Sequence, residues 1–209
     1  VGNLNLGGTG KTPHIEYLVR LLSDNYKTAV LSRGYGRDTT GFIIANENHS
    51  HNDIGDEPIQ YFNKFKNIDV VVDENRCDGM ERLLKMETPP QIVLLDDAYQ
   101  HRKIKPGLSI LLTDYYNLYS NDHLVPAGNL RDIKKAAKRA EIIVVTKSPN
   151  VITPYYRRDI EESLKPLHHQ KIFYSYIEYQ DFQTFSKLSK EFDIKDARLS
   201  EVIEMLFEK

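Results

Sequence analysis

An α/β fold with a mostly parallel sheet and helices on both faces is predicted by three features of the 209-residue sequence. Short aliphatic runs recur at 28–31, 69–72, 92–95, 108–112 and 142–145, with helical spacing between several of them, the pattern of repeated strand–helix units. Asn5-Leu6-Gly7-Gly8-Thr9-Gly10-Lys11-Thr12 sets three glycines, a lysine and a threonine between an apolar strand and an amphipathic helix. The run Ile92-Val93-Leu94-Leu95 ends in Asp96-Asp97, as a central strand delivering a carboxylate would.

The glycine stretch reads as a phosphate cradle of the P-loop NTPase kind. Glycines lack a Cβ, so successive backbone N–H groups can converge on one phosphate, and the helix that follows turns its positive end toward the same anion. Gly7, Gly8, Thr9, Gly10, Lys11, Thr12 and Pro13 are therefore the candidate ATP-binding residues. Lys11 would reach the β and γ phosphates, and the Thr12 hydroxyl would serve a magnesium ion. The usual spacing asks for a glycine five residues before Gly10, where this chain has Asn5. Asn tolerates positive φ, which keeps the turn feasible. Leu6 stands where dimeric partition-type ATPases carry a signature lysine.

Composition narrows the class. With 40% hydrophobic and 28% charged residues the chain can bury a core, and we expect a P-loop core over 1–150 followed by a smaller segment, 151–209, of an edge strand and helices. A net charge of -2 gives no basic field, so no nucleic-acid partner is expected. The single cysteine, Cys77, rules out an internal disulfide framework and fits a reducing, cytoplasmic setting. No stretch approaches the ~20 apolar residues of a membrane span. Val1 already stands in the first strand without a methionine, so the chain reads as a fragment.

Taken in order, 1–6 is a strand and 12–25 a helix with Ile15, Leu18, Val19 and Leu22 on one face. The strand 28–31 leads into Ser32-Arg33-Gly34-Tyr35-Gly36-Arg37, where Arg33 and Arg37 either meet a phosphate at the carboxyl end of the sheet or form a solvated basic turn. An extended piece at 42–45 precedes a polar loop, 46–53, whose His49 and His51 lack metal-ligand spacing. Gly55-Asp56-Glu57-Pro58 opens a helix to Lys64; its acids are either caps that offset the helix dipole or a catalytic base beside a metal-organising acid. A helix over 76–86 follows the strand 69–72, and Asp96-Asp97 then reads as the magnesium-side acid pair. Past it, Ala98-Tyr99-Gln100-His101-Arg102 is too polar and aromatic for a plain connector. Pro126-Ala127-Gly128-Asn129-Leu130-Arg131-Asp132 fixes a loop that presents Arg131 beside Asp132, and a Lys/Ala-rich helix runs on to Arg139. After the strand 142–145, Pro149 replaces the aspartate of a guanine-reading loop, which favours ATP over GTP. A helix over 154–165, an edge strand over 172–179 and a last helix over 200–208 complete the expectation, and His168-His169 lacks an acidic neighbour and is assigned no metal.

These motifs, in this order, resemble the tetraacyldisaccharide 4'-kinase family over about residues 1–147, on Val1-Gly2-Asn3-Leu4 before Gly-Gly-Thr-Gly-Lys-Thr-Pro, then 31–37, 55–58, 94–102, 126–131 and 144–147. The resemblance implies ATP-dependent phosphorylation of the 4'-hydroxyl of the lipid A disaccharide precursor at the inner-membrane surface. It implies Asp56 as the base, and Glu57, Asp96 and Asp97 with Thr12 as the magnesium set. Lys11, Arg76 and Arg131 would act on the transferring phosphate, with Arg33, Tyr35, Arg37, Gln100, His101, Arg102 and Asp132 toward the acceptor. The family also lacks the first P-loop glycine, usually with threonine where Asn5 stands. Its N-terminal apolar helix, its Asp-His-His motif and its later Thr-Glu-Lys-Asp motif have no counterpart here, so the chain is expected to be truncated at both ends or diverged. The alternative is a P-loop regulatory ATPase, or a nucleotide-binding fragment without lipid kinase activity.

Overall fold

The computed structural model describes residues 1–178. The chain divides into two compact units, one of Val1–Gly2 with His14–Gly107 and one of Asn3–Pro13 with the described residues from Leu108 onward. The boundary expected near residue 150 falls inside the second of these.

The first unit holds a four-stranded sheet of β2 (Thr28–Ser32), β3 (Ile43–Ile44), β4 (Asp69–Val72) and β5 (Ile92–Leu95), in the order β3-β4-β2-β5. Strand β2 (Thr28–Ser32) is buried along its whole length and pairs in parallel with β4 (Asp69–Val72) on one side and β5 (Ile92–Leu95) on the other. Its Val30 faces Val70 and Leu94 across the two ladders. Strands covered on both faces need aliphatic side chains throughout, which is why these runs are continuous rather than alternating. The short β3 (Ile43–Ile44) adds antiparallel to β4 at the edge and lies within the extended piece expected at 42–45, with helices α2 (His51–Ile54) and α3 (Asp56–Lys64) intervening between the two strands. Ala29, Leu31, Val71, Leu83 and Leu95 form one core cluster, and a Cβ at Gly79 would stand 3.0 Å from Leu31, so helix α4 (Arg76–Leu84) lies close on the sheet.

Helix α1 (Lys11–Leu22) and helix α3 (Asp56–Lys64) are joined by a buried charge cluster. The Glu16 carboxylate accepts from Lys64 Nζ at 2.7 Å and from Gln60 Nε2 at 2.8 Å, with Arg20 at 3.5 Å. The segment 46–53, expected to be loop, ends in a short helix α2 (His51–Ile54). Ser50 and Asp53 form a capping box there, with Ser50 N–H donating to Asp53 at 2.7 Å, a local signal strong enough to fold one polar turn.

The second unit holds β6 (Ile110–Asp114), β7 (Ile142–Thr146), β8 (Lys171–Tyr174) and Asn3 of β1 (Gly2–Asn3), in a sheet of order β1-β6-β7-β8. The β6–β7 and β7–β8 ladders are parallel. β1 is shorter than the expected 1–6 because the chain then leaves the sheet: Leu6 N–H donates to Asn129 O at 2.6 Å and Arg131 N–H to Leu4 O at 2.8 Å. The expected Lys/Ala-rich helix is a single 3-10 stretch, Lys134–Arg139. Only Ala136 and Ala137 are buried in it, too little apolar face to nucleate an α-helix, and Gln170 Nε2 holds its end by donating to Ala137 O and Ala140 O. Helix α5 (Pro154–Leu164) starts with proline in its first turn and ends at left-handed Lys165. Tyr179 of the expected edge strand and the helix expected at 200–208 lie outside the described residues. Among the described residues no helix is long and apolar enough to cross a membrane.

Candidate active site

The phosphate loop belongs to the second unit and has the backbone that its glycines predict. Gly7 and Gly10 have φ of 100° and 83°, the left-handed side of the map, and a Cβ built on Gly7 or Gly8 meets nothing within 4 Å. That open space above the backbone is what a phosphate group needs. Thr9 N–H closes a tight turn onto Gly7 O at 3.0 Å, while the Thr9 hydroxyl is buried with no partner. Helix α1 begins at Lys11 and carries no acid in its first turn, so its positive end is not offset by its own side chains. These observations fit ATP.

Asn5 does not adopt the positive φ that would have made it a substitute glycine. It is instead buried, and its Nδ2 donates to Asp122 Oδ2 at 2.9 Å. The other Asp122 oxygen accepts from His123 N–H at 2.7 Å and Asn129 N–H at 3.0 Å. Those backbone donors, of Asn129 first and His123 next, hold the Asp122 carboxyl below the usual carboxylate range. Arg131, from the same loop, donates through Nη2 to Asn3 Oδ1, and Asn3 Nδ2 in turn donates to Gly7 O at 3.2 Å. Asn3 and Asp122 were not legible as site residues. The one available cue was a polar side chain inside an apolar strand, Val1-Gly2-Asn3-Leu4.

The acids lie in the first unit. Asp56 and Glu57 are exposed in the first turn of α3. Their position is set by Gly55 (φ 93°), where a Cβ would come within 2.9 Å of Tyr35 O and 3.2 Å of Gly34 C, so the Ser32-to-Arg37 loop and the start of α3 are in backbone contact. Asp96 is buried and its Oδ2 accepts from the Tyr61 hydroxyl at 3.0 Å. Asp97 follows at φ 46°, an uncommon left-handed conformation for a residue other than glycine. Among the described residues no three His, Cys, Asp or Glu side chains gather as a metal cage, so Glu57, Asp96 and Asp97 do not form a three-acid cluster. Asp96 turns inward to Tyr61 and Glu57 faces solvent. A single carboxylate such as that of Asp96 is a donor type that magnesium accepts, since this ion keeps waters and substrate phosphates as its other ligands.

The expected basic residues separate into two groups. Arg76 is buried, and burial first, then the neighbouring Arg33 charge, lowers its pKa against the opposing pull of Asp97, Asp96 and Asp73. Arg33 and Arg102 are exposed, Tyr35 is 83% exposed and Gln100 is half-buried. Arg37 is differently placed: its guanidinium pairs with Glu74 and donates to Gly41 O at 2.7 Å, which ties down the loop that follows. Asp132 likewise accepts from Ile133 N–H at 2.8 Å and lies 3.4 Å from Arg139, at the start of the 3-10 turn. His101 Nε2 is 3.7 Å from Cys77 Sγ, and its pKa is lowered by burial, then by Arg76 and Lys103.

An α/β chain with this loop between strand and helix is a P-loop nucleotide-binding protein. Residues 1–196 match the family model described as LpxK: Tetraacyldisaccharide-1-P 4'-kinase, and the chain belongs to that family. The tetraacyldisaccharide 4'-kinase of Flavobacterium johnsoniae is 50% identical over 190 residues, covering 91% of this chain and 56% of that relative. That of Bacteroides thetaiotaomicron is 48% identical over 195 residues, covering 92% and 51%. Among solved structures, the "apo" form of LpxK from Aquifex aeolicus in complex with ATP superposes with a TM-score of 0.68 at 33% identity, over 86% of this chain and 53% of that one. The chain spans about half the length of the relatives that it matches.

Proposed function

We propose that the chain carries the phosphate-binding and proton-accepting residues of an ATP-dependent kinase acting on the 4'-hydroxyl of the tetraacyldisaccharide 1-phosphate precursor of lipid A. The observation that carries this reading is the open glycine cradle ahead of α1 in a member of this family, and a solved relative described in complex with ATP supports it. The backbone N–H groups of residues 7–10 and the α1 terminus bind the phosphates, and Lys11 spans the β and γ oxygens. Thr12 and Asp96 would hold magnesium, which when bound spreads the charge of the transferring group. Asp56 accepts the proton of the acceptor hydroxyl. Arg76 and Arg131 stabilise charge on the phosphoryl group as it moves. Arg33, Tyr35, Gln100, His101 and Arg102 orient the acceptor, with Glu57 and Asp97 as supporting acids. The acceptor is a lipid precursor, so the working location is the cytoplasmic face of the bacterial inner membrane, as a peripheral protein.

The test is transfer of labelled γ-phosphate from ATP to the tetraacyldisaccharide 1-phosphate by the full-length protein. Acceptor-dependent transfer is expected, with Asp56→Ala lowering kcat by roughly 10²- to 10⁴-fold at unchanged ATP affinity. ATP hydrolysis that ignores the acceptor would favour a regulatory ATPase. Wild-type turnover in Asp56→Ala would remove Asp56 as the base.

A further inference from the structure

Two side-chain bridges, one half-buried and one buried, hold the phosphate loop, both within the second unit. The first runs from Arg131 Nη2 to Asn3 Oδ1 and from Asn3 Nδ2 to the Gly7 carbonyl at 3.2 Å. The second runs from Asn5 Nδ2 to Asp122 Oδ2 at 2.9 Å, and Asp122 Oδ1 gathers the N–H groups of His123 and Asn129. Between them, Leu6 N–H to Asn129 O and Arg131 N–H to Leu4 O zip the chain entering the loop against the segment 129–131. The packing is tight: a Cβ on Gly128 would lie 2.4 Å from Asp122 Oδ1 and 2.5 Å from His123 O. Asp122 is 7% exposed and Asn5 4%, so neither bond competes with water.

From this arrangement we infer that Asp122 is a positioning residue for the phosphate loop, acting through Asn5 to fix the backbone ahead of Gly7 while ordering the loop that presents Arg131. The inference rests on the reading of residues 7–13 as the nucleotide site. Its logic is geometric. A P-loop binds through backbone N–H groups, which cannot adjust one at a time, so its affinity depends on how firmly the chain entering it is held. Here the entering residue is Asn5, whose side-chain amide is held by Asp122. Asn5 Oδ1 is buried without a partner, so the bridge can be rebuilt in one other way: an amide at position 122 could donate to it once the Asn5 amide turns over.

ATP affinity, read by direct titration of the full-length protein, keeps the test independent of lipid phosphorylation. Absence of ATP binding by the wild type would overturn the nucleotide-site reading itself; absence of transfer alone would leave the inference standing. In a wild type that binds ATP, Asp122→Ala and Asn5→Ala are each expected to weaken binding by about tenfold or more. The double variant should be no weaker than the worse single one, because both remove the same bridge. Asp122→Asn should recover most of the affinity, a rescue that generic destabilisation at this position does not predict. Each variant is measured below its own unfolding midpoint, and if Asp122→Ala does not fold, Asn5→Ala and Asp122→Asn decide. Wild-type ATP affinity in Asn5→Ala, additive losses in the double variant, or Asp122→Asn as weak as Asn5→Ala would each overturn the inference.

Discussion

The Tyr61 hydroxyl donates to Asp96 Oδ2 at 3.0 Å with both residues buried, which couples the middle of α3 to the carboxylate at the end of β5. A phenol donating to a carboxylate away from water both satisfies the charge and fixes its rotamer. Tyr61→Phe keeps the ring and removes only the donor. It is expected to lower unfolding stability by about 2 kcal/mol in urea titration. If Asp96 serves magnesium, the same variant should raise the magnesium concentration needed for half-maximal transfer by about tenfold, as loss of an orienting partner does at metal sites. An unchanged magnesium requirement would confine Tyr61 to a structural role.

Glu16 offers a second test, of stability alone. Its side chain is 1% exposed, with Lys64 at 2.7 Å and Arg20 at 3.5 Å. Removing one member of a buried pair leaves the other charge stranded, so Lys64→Met should cost about 3 kcal/mol, even with Arg20 left to compensate in part. Replacing both, as Glu16→Met with Lys64→Met, removes the stranded charge and should recover part of that loss. Chemical denaturation of the four proteins in the cycle reads the result, and a double variant weaker than Lys64→Met would contradict it.

What the sequence revealed and what it hid divide along the range of the interactions. The glycine loop was legible because its backbone geometry is local to seven or eight consecutive residues, and Asp96 because a buried strand must end where its aliphatic run ends. Asn5 reads in the sequence as a conformational substitute for glycine, whereas its side chain bonds Asp122, 117 residues away. Arg131 is legible as a candidate in its own loop, but its bond to Asn3, 128 residues away, is not. Arg37 shows a different limit. Its place after β2 is where a ligand-binding arginine belongs, and the sequence does not announce the ion pair that it makes with Glu74, 37 residues away. Glu16 sits in the apolar stripe of α1 beside Ile15 and Val19, and a carboxylate in such a stripe announces a buried partner without saying which one.

Gly55 and Gly36 both have positive φ, 93° and 77°, but only one of them is crowded. A Cβ at Gly36 meets nothing within 4 Å, whereas at Gly55 it would press on the backbone of Tyr35 and Gly34, which has no flexible end to move aside. Gly36→Ala should therefore cost about 1 kcal/mol, the conformational term alone. Gly55→Ala should cost at least about 2 kcal/mol and, because Asp56 is the next residue, should also reduce phosphoryl transfer in the full-length protein. Equal melting temperatures for the two variants would mean that the contact between these loops is not held in solution.

His101 supplies a dependence on pH. Its folded pKa lies below the ordinary 6.5, through burial first and the charges of Arg76 and Lys103 next. The unfolded chain therefore takes up a proton at a higher pH than the folded one does. Where the unfolded state binds more protons, stability rises with pH, so this group's penalty is absent well above 6.5 and grows as pH falls through that value. His101→Gln cannot take up the proton in either state. Between about pH 7 and 5.5 the wild-type protein should lose more stability than the variant, and the gap should open toward the acid side. Denaturation midpoints measured for both proteins across that window give the difference directly, free of the acids that titrate lower. Parallel curves would show that the histidine is equally protonated in both states, and a gap that opens toward high pH would reverse the sign and place a carboxylate, rather than Arg76, as its controlling neighbour.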